Sequence, residues 1–538
     1  MLARIVDNWL TNAGELEYQT PFTQLLAAEG YRILHAPVHH PYEHGKDIVA
    51  FTQGGELHAF QLKGGDIGLT ELERMQGQLL ALAGTVVSYP GVEPPRRPDR
   101  VHLVTNGRLT APARDRLSAF NDANRGLGLP PVETIEREQL VGRFVAANGN
   151  YFPGEPREIN RFLEIFLSDG RGPVDKQQLA VFLRTSCIEQ HSDTPLGRQR
   201  SIASATLLTA YLSAPWQRTS NALGVADVWL VLAATILHLA EDLSLPRETW
   251  ELSYSLALEA ARSALQSLLE EANKADDLVI PHFVDGIVYP ARAAVVCGYC
   301  SALFLSERLK GDAGSIGPFL KSLLLRECEY VQIVGEAAVS AIVMIATALE
   351  LLGEPALGAS MVSNMAQVLV TANQIGSNDA VADPYHSIEE VLLHSVGAPT
   401  NLNDEDFSGE AYTLHVLVDW LARRSYRDLA AKLWPDITRI HLCEFRPSDP
   451  QDLLTFDDPT GRLATWALPQ PTSWVQLRDS AQTVAESSLP AVLWQHLEFL
   501  PFLPLIYPYR LTTNIAKALD YVSHGSCSVA LSANGSDG

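Results

Sequence analysis

The chain has 538 residues, 46% of them hydrophobic and 19% charged, with 40 Lys and Arg against 63 Asp and Glu and a net charge of −23. This length provides for roughly two to four domains with sizeable cores, and six scattered cysteines exclude a disulfide framework, so the chain reads as cytoplasmic. The acidity argues against a polyanion-binding surface over the whole chain, yet it is uneven: residues 1–150 carry 14 basic and 17 acidic side chains, a balance of −3, and residues 151–538 carry −20.

At the N-terminus Arg4, Asp7, Asn8, Thr11 and Asn12 interrupt any apolar run, so no signal segment is expected. The longest apolar stretches, such as Ala337 to Leu349, fall short of the roughly 20 residues a membrane helix needs, and no membrane is expected. A stretch Glu17-Tyr18-Gln19-Thr20-Pro21-Phe22 then leads through Leu25 and Leu26 to Gly30-Tyr31.

The most informative segment follows: His44-Gly45-Lys46-Asp47-Ile48-Val49-Ala50-Phe51, then Leu57-His58-Ala59-Phe60-Gln61-Leu62-Lys63. Gln53, Gly54 and Gly55 between them read as a β-hairpin turn. A two-residue Gly54-Gly55 turn would set Asp47 across from Leu62. A three-residue turn, with a glycine in the left-handed region, sets Asp47 opposite Gln61, on the face that Gln61 shares with Lys63. We expect the second. It gathers a carboxylate, an amide oxygen and an ammonium into one cluster, suited to one divalent ion and one activated water. The plain alternative is a turn-forming Asp and a solvated Lys. Against it, Val49, Phe51, Leu57 and Ala59 make one face apolar and Ile48, Ala50, Phe60 and Leu62 the other. Such strands are central and buried, and polar groups at their shared end then need partners or a metal.

Downstream, Thr70-Glu71-Leu72-Glu73 has the side chains of a capping box, with Met75, Leu79, Leu80 and Leu82 as the apolar positions of its helix. Val101-His102-Leu103-Val104-Thr105-Asn106-Gly107-Arg108 and a stretch from Thr110 come next, and Val132-Glu133-Thr134-Ile135-Glu136 precedes Leu140. In this order the pieces resemble the PD-(D/E)XK nuclease superfamily, most of all its Mrr-type restriction endonuclease branch, in which Gln commonly stands for the Glu. The resemblance covers roughly the first 150 residues.

It implies an α/β restriction-endonuclease-like domain over 1–150, a mixed sheet flanked by helices, that hydrolyses phosphodiester bonds with Mg²⁺ or Mn²⁺. Carried over to this chain, Asp47 is the main metal ligand, joined by the amide oxygen of Gln61 and the carbonyl of Leu62. Lys63 polarises the attacking water and offsets charge on the phosphorane. Glu17 on the first helix reaches the metal through water, with Glu15 and Gln19 as neighbouring alternatives. Gln in place of Glu removes one negative charge and weakens the hold on the ion. DNA is the substrate the resemblance prefers, with RNA left open. Arg96, Arg97, Arg100, Arg108, Arg114 and Arg116 are candidate phosphate contacts, against a plain reading as solvated charge.

Gly149, Pro153, Gly154 and Pro156 mark a boundary near 148–158. Beyond it the periodicity turns helical, starting with Leu163, Phe166 and Leu167 and then Leu179, Phe182 and Leu183. Helices are expected around 197–213, 222–242, 247–274, 288–309, 329–352 and 358–373, as stacked antiparallel pairs in an all-α sensor or assembly region over 158–375. Residues 376–410, rich in Asn, Asp, Gly and Pro, suggest a second boundary. A further helical lobe over 410–530 holds Trp420, Trp434, Trp466, Trp474 and Trp494, and Ser532 to Gly538 reads as a disordered tail.

Other chemistries are demoted. There is no P-loop and no Gly-x-Ser-x-Gly elbow. His44-x-Lys46 opens like a phospholipase D motif, but Phe51 holds the position of its Asp. His39, His40 and His44, with His35 and His58 near, read as a polar loop ahead of a zinc site, and Cys297 and Cys300 as a buried helical pair. By architecture the chain resembles prokaryotic restriction and anti-phage defence effectors, with the helical region forming a homo-oligomer or docking a partner protein. The competing reading is a helical scaffold whose degenerate nuclease fold only binds nucleic acid or protein.

Overall fold

The computed structural model describes residues 2–35, 46–88, 92–148, 156–189, 194–278, 288–311, 314–332, 334–373, 381–395, 397, 410–445, 449–454, 463–466, 474–482 and 489–523. His39, His40, His44, the 149–155 stretch, most of 376–410, Cys527 and the C-terminal tail lie outside them. By contacts the chain divides into two units, one of residues 1–236 with 245–260, the other of 237–244 with 261–538.

The first unit opens with helices α1 (Leu2–Asn12) and α2 (Glu15–Ala28), then strands β1 (Arg32–His35), β2 (Ile48–Phe51) and β3 (Leu57–Lys63). Helix α3 (Leu69–Gly84), strand β4 (Arg100–Thr105), helix α4 (Ala111–Gly126), strand β5 (Val132–Ile135) and helix α5 (Arg137–Asn148) follow. The sheet order is β1-β2-β3-β4-β5; β1, β2 and β3 run antiparallel, whereas β4 and β5 continue parallel to β3. This is the mixed α/β sheet expected over 1–150. β3 is its centre and is buried on both faces.

One face packs Ala59, Val101 and Leu103 against Leu72, Met75, Leu79 and Leu82 of α3 and Ala113 and Leu117 of α4. Those four α3 residues recur at helical spacing and form one stripe, whereas Leu80 falls off it and is exposed. On the other face Phe60 meets Phe22 of α2 edge to face, centroids 5.6 Å apart.

The hairpin turn has three residues. Thr52 N donates to Glu56 O at 3.0 Å, Gly55 N donates to Thr52 O at 3.0 Å, and Gly55 has φ +82°, which a glycine adopts without strain. Phe51 pairs with Leu57 and Ile48 with Phe60, so the register carries Asp47 opposite Gln61. The start of α3 differs from the capping-box expectation. The helix begins at Leu69 after Gly68, with no side-chain cap, and Thr70 already lies inside the first turn.

The division of the chain also differs from the sequence boundaries. Helices α6 (Pro156–Phe166), α7 (Lys176–Val181) and α8 (Pro195–Arg218) belong with the sheet in the first unit. The reason is packing: α8 lies against α2, and Tyr211 meets Trp9 of α1 at 5.0 Å. The limits of the two units fall inside α9 (Ala222–Asp242) and α10 (Arg247–Lys274).

The second unit continues with α11 (Val288–Lys310), α12 (Gly317–Glu327), α13 (Ala338–Leu351), α14 (Pro355–Ala372) and α15 (Ile388–Ser395). α11 and α13 pack so closely that a Cβ on Gly298 would stand 2.5 Å from the Ala341 Cβ. Cys297 and Cys300 are buried on α11, and burial pushes both thiols up. The expected helix over 329–352 is instead the shorter α13, with α12 ahead of it.

The all-α expectation fails further on. Among α16 (Leu414–Arg423) and α17 (Arg427–Ile437), a three-stranded sheet forms from β6 (Glu410–Ala411), β7 (His441–Phe445) and β8 (Leu463–Trp466), in that order. The fully buried Glu336 carboxylate anchors this part, accepting from Tyr412 N at 2.9 Å, Thr413 N at 2.7 Å and Thr413 Oγ1 at 2.6 Å.

Two helices are more apolar than the longest unbroken apolar runs suggest. α9 and α11 are long and apolar enough to cross a membrane by length and composition, but 83% and 78% of their most apolar windows are buried in the protein. Core helices have this character.

Candidate active site at the β2–β3 end

Asp47 sits at the entry of β2. Its own N–H donates to Phe60 O at 2.9 Å, which fixes the backbone, and its Oδ2 accepts from Gln61 Nε2 at 2.7 Å and from Leu62 N at 2.6 Å. Two donors on one oxygen orient the carboxylate. Gln61 is 4% exposed, and its Oε1 is buried with no hydrogen-bond partner among the described residues. A buried amide oxygen left unpaired beside a carboxylate is costly unless something takes up its lone pairs.

Lys63 leaves the end of β3 with its side chain one-fifth exposed. Its Nζ meets Glu15 Oε1 at 3.3 Å and Oε2 at 3.4 Å. Its backbone is held by Tyr18, which is fully buried: Lys63 N donates to the Tyr18 hydroxyl at 3.1 Å, and that hydroxyl lies 2.9 Å from Lys63 O and 3.1 Å from Val104 O. Burial raises the phenol pKa, so the hydroxyl keeps its proton and remains a donor.

The neighbouring chain exits are pinned as well. Gly65 N donates to Asn106 Oδ1 at 2.7 Å, and Asn106 Nδ2 reaches Leu10 O at 2.9 Å and Ala13 O at 2.6 Å. Thr105 Oγ1 donates to Gly65 O at 2.5 Å. A Cβ at Gly107 would overlap the Gly65 backbone, so glycine is required for this close approach.

Glu17 has a different task. Its Oε2 accepts from Gly14 N at 2.6 Å, the reciprocal half of a capping box at the start of α2. It lines a separate small pocket with Asn8, Trp9, Asn12 and Phe166. Residues two apart on a helix point to nearly opposite sides, so Glu15 faces Lys63 and Glu17 does not.

The arginines divide similarly. Arg96 bonds Gly55 O at 2.8 Å, Arg97 bonds Gly84 O at 3.1 Å, and Arg100 meets Glu133 at 3.4 Å. These stand near the hairpin turn and the start of β4, away from Lys63 by the length of β3. Arg108 pairs with Glu138 at 2.6 Å, Arg114 with Glu136 at 2.8 Å, and Arg116 lies 4.0 Å from Glu73. The structure therefore joins Asp47 to Gln61 and Leu62, sets Lys63 two residues beyond Gln61 on the same strand with Glu15 and Tyr18 as its partners, and leaves Glu17 and the six arginines outside this group.

Beside Lys63 an open cleft of about 710 Å³ is lined by Glu15, Gly68, Leu69, Thr70, Glu71, Arg74, Met75 and Gln78. Sequence reasoning missed Arg74 and Gln78, although their four-residue spacing on the helix after the Gln-x-Lys strand was the available signal.

Among the described residues no group of three or more His, Cys, Asp or Glu side chains could hold a metal ion. An ion at this site would rest on the Asp47 carboxylate, Gln61 Oε1 and the Leu62 carbonyl, with water completing the shell. That oxygen-only donor set fits a Mg²⁺ that keeps several of its waters. No family model, no curated protein and no solved structure matches the chain.

Proposed function

We propose that the sheet-bearing part of this chain is a metal-dependent nuclease, with DNA as its preferred substrate, and that the helical remainder controls its assembly or activation in a restriction or anti-phage defence role. The observation that carries the nuclease reading is the Asp47–Gln61 contact at one end of the central strands, with Lys63 at the end of the same strand and the Gln61 oxygen buried and without a partner among the described residues. The helix-strand-strand-strand-helix-strand-helix-strand order that leads to it supports the PD-(D/E)XK resemblance. The defence role and the part of the helical region rest on architecture alone.

When bound, a divalent ion supplies Lewis-acid polarisation and a water of lowered pKa. The chain's own residues do the rest. Asp47 and Gln61 Oε1 would provide the oxygens that hold the ion, with the Leu62 carbonyl from the same strand end. Lys63, steadied by Glu15 and by the Tyr18 hydroxyl at its backbone, places an ammonium where negative charge develops on the phosphoryl oxygens during in-line attack. Charge stabilised only in the transition state lowers the barrier.

The degenerate-scaffold reading draws on one feature, the single carboxylate at the ion position with Glu15 engaged by Lys63. Cleavage of supercoiled plasmid by the full chain in Mg²⁺ and Mn²⁺ separates the two. The nuclease reading expects nicking that falls by about 100-fold or more in Asp47→Ala and in Lys63→Ala. Cutting that survives unchanged in both variants contradicts it.

A further inference from the structure

Thr70, Arg74 and Gln78 line the cleft beside Lys63. They step four residues at a time along α3, so they stack on one face about 6 Å apart along the axis. Arg74 is exposed and, unlike the six arginines above, has no hydrogen-bond or ion-pair partner among the described residues. Glu71 lines the same cleft one turn earlier, yet no ion pair joins it to Arg74. Glu15, the other acid of the cleft, is engaged by Lys63. The guanidinium is thus the uncommitted cation beside the candidate catalytic lysine, and its planar fork matches two phosphate oxygens.

We propose that the α3 face bearing Thr70, Arg74 and Gln78 carries the sugar-phosphate backbone of the substrate strand past Lys63, with Arg74 holding the phosphate next to the scissile one. This rests on the nuclease reading and names the residues that hold its substrate. Thr70 and Gln78 add hydrogen-bonding groups one helical turn to either side. A contact of this kind positions the strand and reads no bases.

The test uses the full chain in an Asp47→Ala background, so that binding is read without cutting, and a fluorescein-labelled duplex oligonucleotide titrated over a range of KCl. Arg74→Ala is expected to weaken binding about 10-fold and to lower the slope of log K against log salt by about 1. Arg74→Glu should weaken it further. Arg4→Ala, at an exposed arginine on α1 that does not line the cleft, serves as the control that changes neither. In the cutting enzyme Arg74→Ala should raise KM more than it lowers kcat. If the chain cuts DNA and Arg74→Ala behaves like Arg4→Ala, the strand track falls and the nuclease stands. If the chain neither cuts nor binds nucleic acid, both fall together.

Discussion

Glu15 and Glu17 lie within one turn of α2 and serve different ends. Glu17 closes the helix start through Gly14 N, whereas Glu15 holds the Lys63 ammonium. Glu17→Ala should therefore act on folding, costing about 1 kcal/mol in urea melts as a lost cap does, and leave plasmid cleavage near the wild-type rate. Glu15→Gln should do the reverse, slowing cleavage at least several-fold with little change in the melt. Equal losses of cleavage in the two variants would contradict the assignment. The sequence carried the acid-amide-lysine trio because strand alternation and a three-residue turn fix which side chains share a face. It could not choose between Glu15 and Glu17, because that choice depends on where α2 begins, and Gly14 offers no side chain to mark it. Tyr18 and Asn106 were invisible as site supports for a related reason: their partners are backbone atoms far away in sequence.

At the scale of elements, β3, β4 and β5 are crossed by a chain of titratable groups. Glu56 meets His58 Nε2 at 3.5 Å, His58 Nδ1 meets His102 Nε2 at 3.0 Å, and His102 Nδ1 lies 3.7 Å from Glu133. Phe60 stacks on His102 at 4.7 Å, Tyr31 stands edge-on to His58, and Arg100 bridges Glu56 and Glu133. Burial lowers both imidazole pKa values, that of His102 to about 3, with the other imidazole and the Arg143 and Arg100 charges adding to it. An imidazole depressed in the folded state contributes stability that is full above its unfolded value near 6.5. That stability is lost as pH falls toward 3, because the unfolded chain binds the proton first. Denaturant melts between pH 7 and pH 4 should show the sheet-bearing unit losing on the order of a few kcal/mol, and His102→Gln should flatten that dependence. A slope unchanged in His102→Gln would contradict the account. His102 reads in sequence only as an ordinary strand residue, since the parallel register of β3 and β4 sets it opposite Phe60 and only diagonally beside His58.

At the scale of the whole molecule, the element order of the first 150 residues was legible because each element has its own period and turn signals. The grouping of elements into units was not. α6 to α8 read as the opening of a separate helical region, and only packing of α8 on α2 assigns them to the sheet. The sheet of β6, β7 and β8 escaped notice because its strands are short, of two, five and four residues, and β7 follows directly on the helices α16 and α17. The net charge of −23 is likewise a poor guide to the site, whose unit-scale acidity is mild and whose cleft keeps an arginine with no partner among the described residues. The central claim is that Asp47 and Gln61 make an ion site at the end of the central strands. It is tested most directly by titrating the full chain with Mn²⁺ and reading the free ion by electron paramagnetic resonance. The account predicts one site per chain, lost in Asp47→Ala and weakened by about tenfold or more in Gln61→Ala. No binding by the wild-type chain, or equal binding in all three proteins, would contradict it.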